Sequence, residues 1–235
     1  MGITLTIDTL QKLNDTDLAT KFFDLLEKHG LYLEKLGLYE PLKQEYSKEK
    51  GIEIWCLEDE GCFDIESNKS LGKAGGVLGK SKTQGFTMHV VWWDCPWKKT
   101  NYIWFHFQKK AYKAYKTQIQ ELFKDLIILT NGLYGYISDE IAVNRQHVTG
   151  TIQERISGVF WCNYFGPPLL EVLRKENVES FSWYNSVKVD NGGVITYLTS
   201  DALDIKLKSN ELETKAQEYI GSHWFNGKAA NYHIF

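Results

Sequence analysis

The stretch AGGVLGKS, Ala74 to Ser81, carries the sharpest chemical pattern in the chain. It fits the permissive form of a phosphate-binding loop, with alanine in place of the first glycine. In such a loop successive backbone amides cradle a phosphate, the lysine reaches the outer phosphates and the serine hydroxyl takes a metal ion. The loop works only where it follows a buried strand and opens into a helix whose N-terminal amides hold the anion. Here the preceding DIESNKSLGK is polar, and the following KTQGFTMHVVWW starts a strand pattern after Gly85. No helix supplies the dipole, so the segment reads as a flexible Gly/Lys loop between strands. An enzyme acting on a nucleotide or other small molecule, with Lys80 and Ser81 on phosphate, is the alternative function this pattern would support.

Other reactive residue types are present without their partners. No Gly-x-Ser-x-Gly elbow occurs, which removes the usual frame of a serine hydrolase. Cys162, in FWCNYF, alternates with aromatics and reads as a packed, protonated thiol rather than an activated one. The Asp139-Glu140 pair could serve acid/base work, but adjacent carboxylates are common on loops. The histidines at 29, 89, 106, 147, 223 and 233 form no H-x-H or H-x-x-x-H pair, and Cys56, Cys62, Cys95 and Cys162 form no C-x-x-C. No local motif therefore builds a metal site, and the cysteines read as reduced thiols. His89 and His106 fall inside strand-like segments and read as ordinary strand histidines. No catalytic residue, metal or cofactor is assigned, and the expectation is a non-enzyme.

One run has lopsided charge. CLEDEGCFDIE, Cys56 to Glu66, holds Glu58, Asp59, Glu60, Asp64 and Glu66 with no basic residue, and the stretch after it carries Lys69, Lys73, Lys80 and Lys82. An acidic rim beside aromatic anchors suits a protein partner, because charge sets on-rate and specificity while buried aromatics supply most of the energy. The same run on a strand edge would also keep that edge solvated. Lys109, Lys110, Lys113 and Lys116 crowd the start of a helical stretch, against its dipole, and read as a solvated charge run. A net charge of −3 over 235 residues, 43% of them apolar, produces no global field to draw nucleic acid or a membrane. No apolar run approaches the ~18 residues that span a bilayer. The expectation is a cytoplasmic protein that binds neither nucleic acid nor membrane, with self-association left open.

The elements that must position these residues follow from periodicity. Residues 15–29 predict an amphipathic helix behind an Asp/Thr cap, closed by Gly30. A short helical piece is expected near Pro41 to Tyr46, and IEIWCL (52–57) reads as a strand by its β-branched and aromatic content. FTMHVVWW (86–93) and YIWFHF (102–107) predict a hairpin, and residues 111–131 a long helix ending at Gly132. Further on, TIQERIS (151–157) predicts a short helix, Pro167 to Lys175 another, SVKVDNGGVITYLT (186–199) a hairpin turning at Asn191-Gly192, and residues 210–220 a last helix. Strands and helices are segregated rather than strictly alternating. That indicates a single α+β domain over residues 1–235, a mostly antiparallel sheet with packed helices, in which two strand-then-helix blocks are compatible with a diverged duplication.

The segment GVFWCNYFGPPLLEVL, Gly158 to Leu173, resembles a pattern of immunity proteins from bacterial polymorphic-toxin and type VI secretion systems: Gly-x-x-Trp-x-Asn-Tyr-Phe-Gly-Pro, then a short apolar helix. The matching positions are Gly158, Trp161, Asn163, Tyr164, Phe165, Gly166 and Pro167. LFKDLIILTNGLYGYIS (122–138) is similar to the helix, Tyr-Gly turn and strand that precede it in that family. The resemblance implies a non-catalytic scaffold that binds and neutralises a cognate protein toxin in the cytoplasm, with the motif residues serving the scaffold. Glu58, Asp59, Glu60, Asp64 and Glu66 are then the candidate toxin contacts. Within the motif, Gly166-Pro167 is expected to stop a strand and start a helix, with Asn163 capping that corner.

Overall fold

A computed structural model describes residues 2–64, 66–96, 100–147, 152, 155–203 and 209–225, the side chains of Cys62, Ser209 and Asn210 excepted. The α+β class holds. The chain packs as two compact units, one formed by residues 7–132 and the other by residues 1–6 with 133–235. Strand β1 (Gly2–Thr9) contributes to both, and its residues Ile3, Leu5 and Ile7 are fully buried at alternate positions. No helix among the described residues is long and apolar enough to cross a membrane.

In the unit of residues 7–132, helix α1 (Thr16–Lys28) starts where the Asp15 carboxylate accepts from the Leu18 amide at 2.7 Å. It buries Leu18, Ala19, Phe22, Phe23 and Leu26. Strands β2 (Lys35–Gly37) and β3 (Gln44–Glu45) pair with each other. The helical piece expected at 41–46 is therefore replaced by extended chain, tied by the Tyr46 amide to the Glu34 carbonyl at 2.9 Å.

Helix α2 (Lys48–Trp55) corrects the strand expected at 52–57. Ser47 caps it by accepting from the Lys50 amide, Gly51 lies where a Cβ would come within 2.6 Å of the Phe23 ring, and the Trp55 ring packs edge-on to Phe22 at 5.0 Å. Tertiary contact and a cap outweigh the β-branched composition, as they commonly do for a weak propensity.

Strands β4 (Asp59–Phe63), β5 (Ser70–Ser81), β6 (Phe86–Asp94) and β7 (Asn101–Gln108) follow, and helix α3 (Lys109–Leu129) closes the unit. The order is β7-β6-β5-β2-β3, with β4 also on β5, and the pairs β2–β3, β2–β5, β4–β5, β5–β6 and β6–β7 are antiparallel. The expected hairpin and long helix are both present. Residues 74–81, in contrast, are not a loop: they lie within β5, paired Gly75 to Trp92, Gly76 to Val91 and Val77 to Val90. The glycines serve packing. A Cβ at Gly75 would lie 2.2 Å from the Trp92 ring, one at Gly79 2.9 Å from Leu33, and one at Gly76, where φ is +143°, 1.9 Å from the Val90 carbonyl oxygen. The flexible loop expected here is thus a strand, and an extended strand directs alternate amides to its neighbours and not into one cradle.

The other unit contains β8 (Tyr134–Asp139), α4 (Glu140–Arg145), β9 (Cys162–Phe165), α5 (Pro167–Leu173), α6 (Lys175–Ser180), β10 (Asn185–Lys188), β11 (Val194–Tyr197) and α7 (Ser209–Ile220). Its strand order is β10-β11-β9-β8, and the pairs β10–β11, β11–β9 and β8–β9 are antiparallel. Tyr134, Tyr136, Phe160, Phe165, Leu169, Leu173, Ala216 and Ile220 share its core. The hairpin turns at Asn191-Gly192 as expected, with φ of +88° at Gly192. The helix from Pro167 ends at Leu173, where Arg174 takes φ of 61°, and α6 starts anew. Of the helix expected at 151–157, residues 151, 153 and 154 lie outside the described residues, and 155–157 are irregular rather than helical. The two units follow different element orders.

One ion pair joins α4 to α7: Arg145 Nη2 donates to Glu213 Oε2 at 2.6 Å. Glu213 is buried and its other oxygen has no hydrogen-bond partner. Burial pushes its carboxyl up from 4.5 to about 7, against the opposing pull of Arg145 and with the help of the Asp139 charge. A folded-state pKa above the unfolded one means stability present at low pH and lost as pH rises from about 4.5 to about 7. Glu213→Gln is expected to flatten that fall. Arg145→Ala, which strands a buried carboxylate, is expected to cost about 3–5 kcal/mol at pH 8 and less at pH 5. Urea midpoints of the three proteins at both pH values check this.

Candidate functional site

The acidic run expected to meet a partner begins where α2 ends. Trp55 is held by its indole N–H donating to the Leu13 carbonyl at 2.6 Å, and Trp92 donates in turn to the Trp55 carbonyl at 2.7 Å. The chain then passes through Leu57 and Glu58 into β4, which pairs in antiparallel register with β5, Asp59 to Ala74, Glu60 to Lys73 and Phe63 to Ser70. The described turn residues 64 and 66–69 close this hairpin. Asp64 Oδ1 accepts from the Ser67 amide at 2.7 Å and the Ser67 hydroxyl at 2.6 Å, and Asn68 takes a left-handed φ of 50°.

The structure brings Glu58, Asp59, Glu60 and Asp64 onto or beside one short strand and puts Glu66 in its turn. Two of the carboxylates are pinned. Asp59 accepts from the Tyr39 hydroxyl at 2.7 Å and the Glu60 amide at 2.8 Å, and these bonds hold its pKa below the ordinary value. Ser67 does the same for Asp64. Glu58 accepts from the Asn14 side chain at 3.1 Å. Among the described residues none of the five enters an ion pair.

Large apolar side chains stand beside the acids. Tyr39 is 67% exposed, Phe63 47%, Leu57 45% and Leu71 42%. Phe63 belonged to the run singled out by charge. Tyr39 and Leu71 were not legible as site residues, because they come from segments placed beside β4 only by pairing and by the Tyr39–Asp59 bond. The arrangement can bind by charge and apolar contact.

The motif residues do something else. Gly158 is closed in by Gln146: a Cβ there would lie 2.4 Å from Gln146 Oε1, which accepts from the Val159 amide while Gln146 Nε2 donates to the Val159 carbonyl. Trp161 donates to the Thr199 carbonyl at 3.0 Å and packs edge-on to Tyr197. The Tyr164 hydroxyl accepts from Asn191 at 2.8 Å. Phe165 is buried, and Gly166-Pro167 ends β9 and starts α5 as expected. Asn163 corrects its expected role. Instead of capping the Gly-Pro corner, its buried amide accepts from the Phe160 N–H at 2.7 Å and donates to the Phe160 carbonyl at 2.8 Å.

The remaining reactive groups are built into the packing. Cys162 is a buried free thiol whose pKa burial pushes well up, and Cys56 is a half-buried free thiol. Cys95 is disulfide-bonded, which corrects the expectation that every cysteine is reduced. His89 is half-buried, edge-on to Tyr102 at 5.8 Å, and burial lowers its pKa. His106 stacks with Trp104 at 6.1 Å. Asp8 is pushed up to about 7 by burial. Asp139 caps α4 by accepting from the Ile141 and Ala142 amides. Ser81 accepts from the Gln84 amide at 3.2 Å, in the turn after β5. Among the described residues no group of three or more His, Cys, Asp or Glu is placed to hold a metal ion.

The whole fold is similar to that of a solved Pseudomonas aeruginosa T6SS protein. The likeness has a TM-score of 0.60 at 13% identity and covers 99% of this chain and 80% of the other. No protein-family model and no curated protein matches the chain.

Asn163→Ala is expected to leave two buried backbone groups of Phe160 unpaired and to cost about 2–4 kcal/mol. Glu60→Lys, on the exposed strand, is expected to change stability by no more than about 0.5 kcal/mol. Calorimetric unfolding of both variants separates the scaffold from the edge.

Proposed function

We propose that the chain is an immunity protein that binds and neutralises a cognate bacterial toxin without catalysis. The observation that carries this reading is the fold shared over nearly the whole chain with a T6SS protein, taken with the Trp161 to Pro167 segment that resembles immunity proteins. The acidic strand Glu58 to Asp64, with Glu66 in its turn, is the surface through which the chain meets the toxin. Carboxylates free of ion pairs give long-range attraction to a basic partner, and the exposed Tyr39, Leu57 and Phe63 supply apolar area that becomes buried on contact.

A toxin-like protein is expected to be encoded next to this chain, and co-expression of the two to restore growth and to give a stable complex on size exclusion; absence of such a gene counts against the reading. Glu58→Lys with Glu60→Lys is expected to weaken that complex at least about tenfold, an effect that shrinks at high salt because the attraction is screened. No complex, or a complex only with a component of the secretion apparatus, removes the reading. The sequence reading places the encounter in the cytoplasm, whereas the disulfide at Cys95 weighs toward an oxidising compartment. Fractionation of tagged protein decides between them.

A further inference from the structure

Among the described residues β4 pairs on one side only, with β5. An edge strand that needs only protection from aggregation carries charge and keeps its large apolar residues covered. This edge carries the charge and still leaves Leu57, Phe63, the adjoining Leu71 and Tyr39 in water. The Glu60 amide is held by the Asp59 carboxylate at 2.8 Å, an exchangeable side-chain bond. Backbone without a strand partner beside solvated apolar side chains is the surface used for strand addition, where main-chain hydrogen bonds give affinity and alternate side chains give specificity.

Charge selects the occupant. Asp59 and Asp64 are held in the ionised form by Tyr39 and Ser67, and Glu58, Glu60 and Glu66 have no ion-pair partner among the described residues. Only Lys73, opposite Glu60 on β5, offsets them within the paired register. A second copy of this chain added through β4 would place acidic residues against acidic residues, and like charges across a strand pair are destabilising. An extended segment in which lysine or arginine alternates with apolar residues meets every feature of the edge.

We infer that β4 accepts such a basic, apolar-alternating segment of the partner protein as an added antiparallel or parallel strand. This rests on the proposed function only in taking the partner to be a protein. The test uses the full-length chain and three capped peptides of roughly eight residues, the length of an ordinary strand. One alternates lysine and valine, one alternates glutamate and valine, and one is the lysine peptide N-methylated at every residue, which keeps its charge and removes the donors along both edges. The lysine peptide is expected to bind at least about tenfold tighter than either of the others by calorimetry, and to slow amide exchange at Asp59 to Phe63. Glu60→Lys is expected to lower its affinity with the unfolding temperature unchanged.

Equal binding of the N-methylated peptide, protection of amides elsewhere, or no binding of the lysine peptide overturns the inference. Two results separate it from the function proposed above. A toxin complex indifferent to Glu60→Lys removes the edge and leaves the immunity reading. Peptide addition at β4, with no complex formed by the neighbouring toxin-like protein, does the reverse.

Discussion

Two indole hydrogen bonds fix the part of the structure on which the candidate site depends. Trp55 donates to the Leu13 carbonyl, and the Trp55 carbonyl accepts from Trp92. A helix as short as α2 is marginal by itself, and its last carbonyls lack intrahelical donors. Trp92 supplies one, from the inner face of β6, and so ties the end of the helix to the sheet. Both rings are buried, where an unmade bond to either would leave a polar group without water. The chain leaves α2 at a set place, with the Leu57 carbonyl oxygen only 2.4 Å from where a Cβ on Gly75 would stand. That is why position 75 is glycine and why β4 starts opposite Ala74. The exposed acids are carried by a strand whose origin is anchored in the core.

The same contacts explain what the sequence revealed and what it hid. Helices α1 and α3 and the β6–β7 hairpin were legible because each carries its own period: Leu18, Phe22 and Leu26 on one helical stripe, and Phe86, Met88, Val90 and Trp92 at alternate strand positions. Residues 52–57 and 74–81 were misread for a common reason. The identity of each is decided by a residue far away in sequence, Leu13 and Phe23 for α2, Trp92 and Leu33 for the glycines of β5. Glycine in a strand normally weakens it and signals a loop. Here the missing side chains make room for large neighbours, and the neighbours supply the stability that the glycines do not.

In the unit that contains β9, the motif was legible as a pattern but its chemistry was not. Asn163 stood out as a polar side chain in an apolar run, and the nearest corner was the economical partner. The structure turns it the other way, onto both backbone groups of Phe160, so that an irregular stretch is sealed before the strand begins. Gln146 does the same for Val159 from α4, and leaves no space for a side chain at Gly158. The Tyr134 hydroxyl completes the set by donating to the Gly158 carbonyl at 2.7 Å. Each polar atom of the motif named here is used inside the protein. A segment built this way maintains a fold.

The acids of the chain divide by environment, and that division locates its field better than net charge does. Glu213 is pushed up to about 7 by burial, so it carries only part of its charge near neutrality and shows little of it to solvent, and the half-buried Asp8 is pushed up to about 7 as well. Asp59 and Asp64 are held down by hydroxyl and amide donors and remain fully ionised at the surface. A formal charge of −3 counts all four alike, although only the second pair, with Glu58, Glu60 and Glu66 beside it, projects a potential that an approaching molecule feels. Desolvation mutes the buried acids and hydrogen bonding preserves the exposed ones. Five acidic residues therefore lie on or beside a strand, β4, that pairs on one side only among the described residues and whose apolar neighbours are solvated. Attraction at a distance and contact at close range then coincide in a few residues, which is the condition for fast and selective protein recognition.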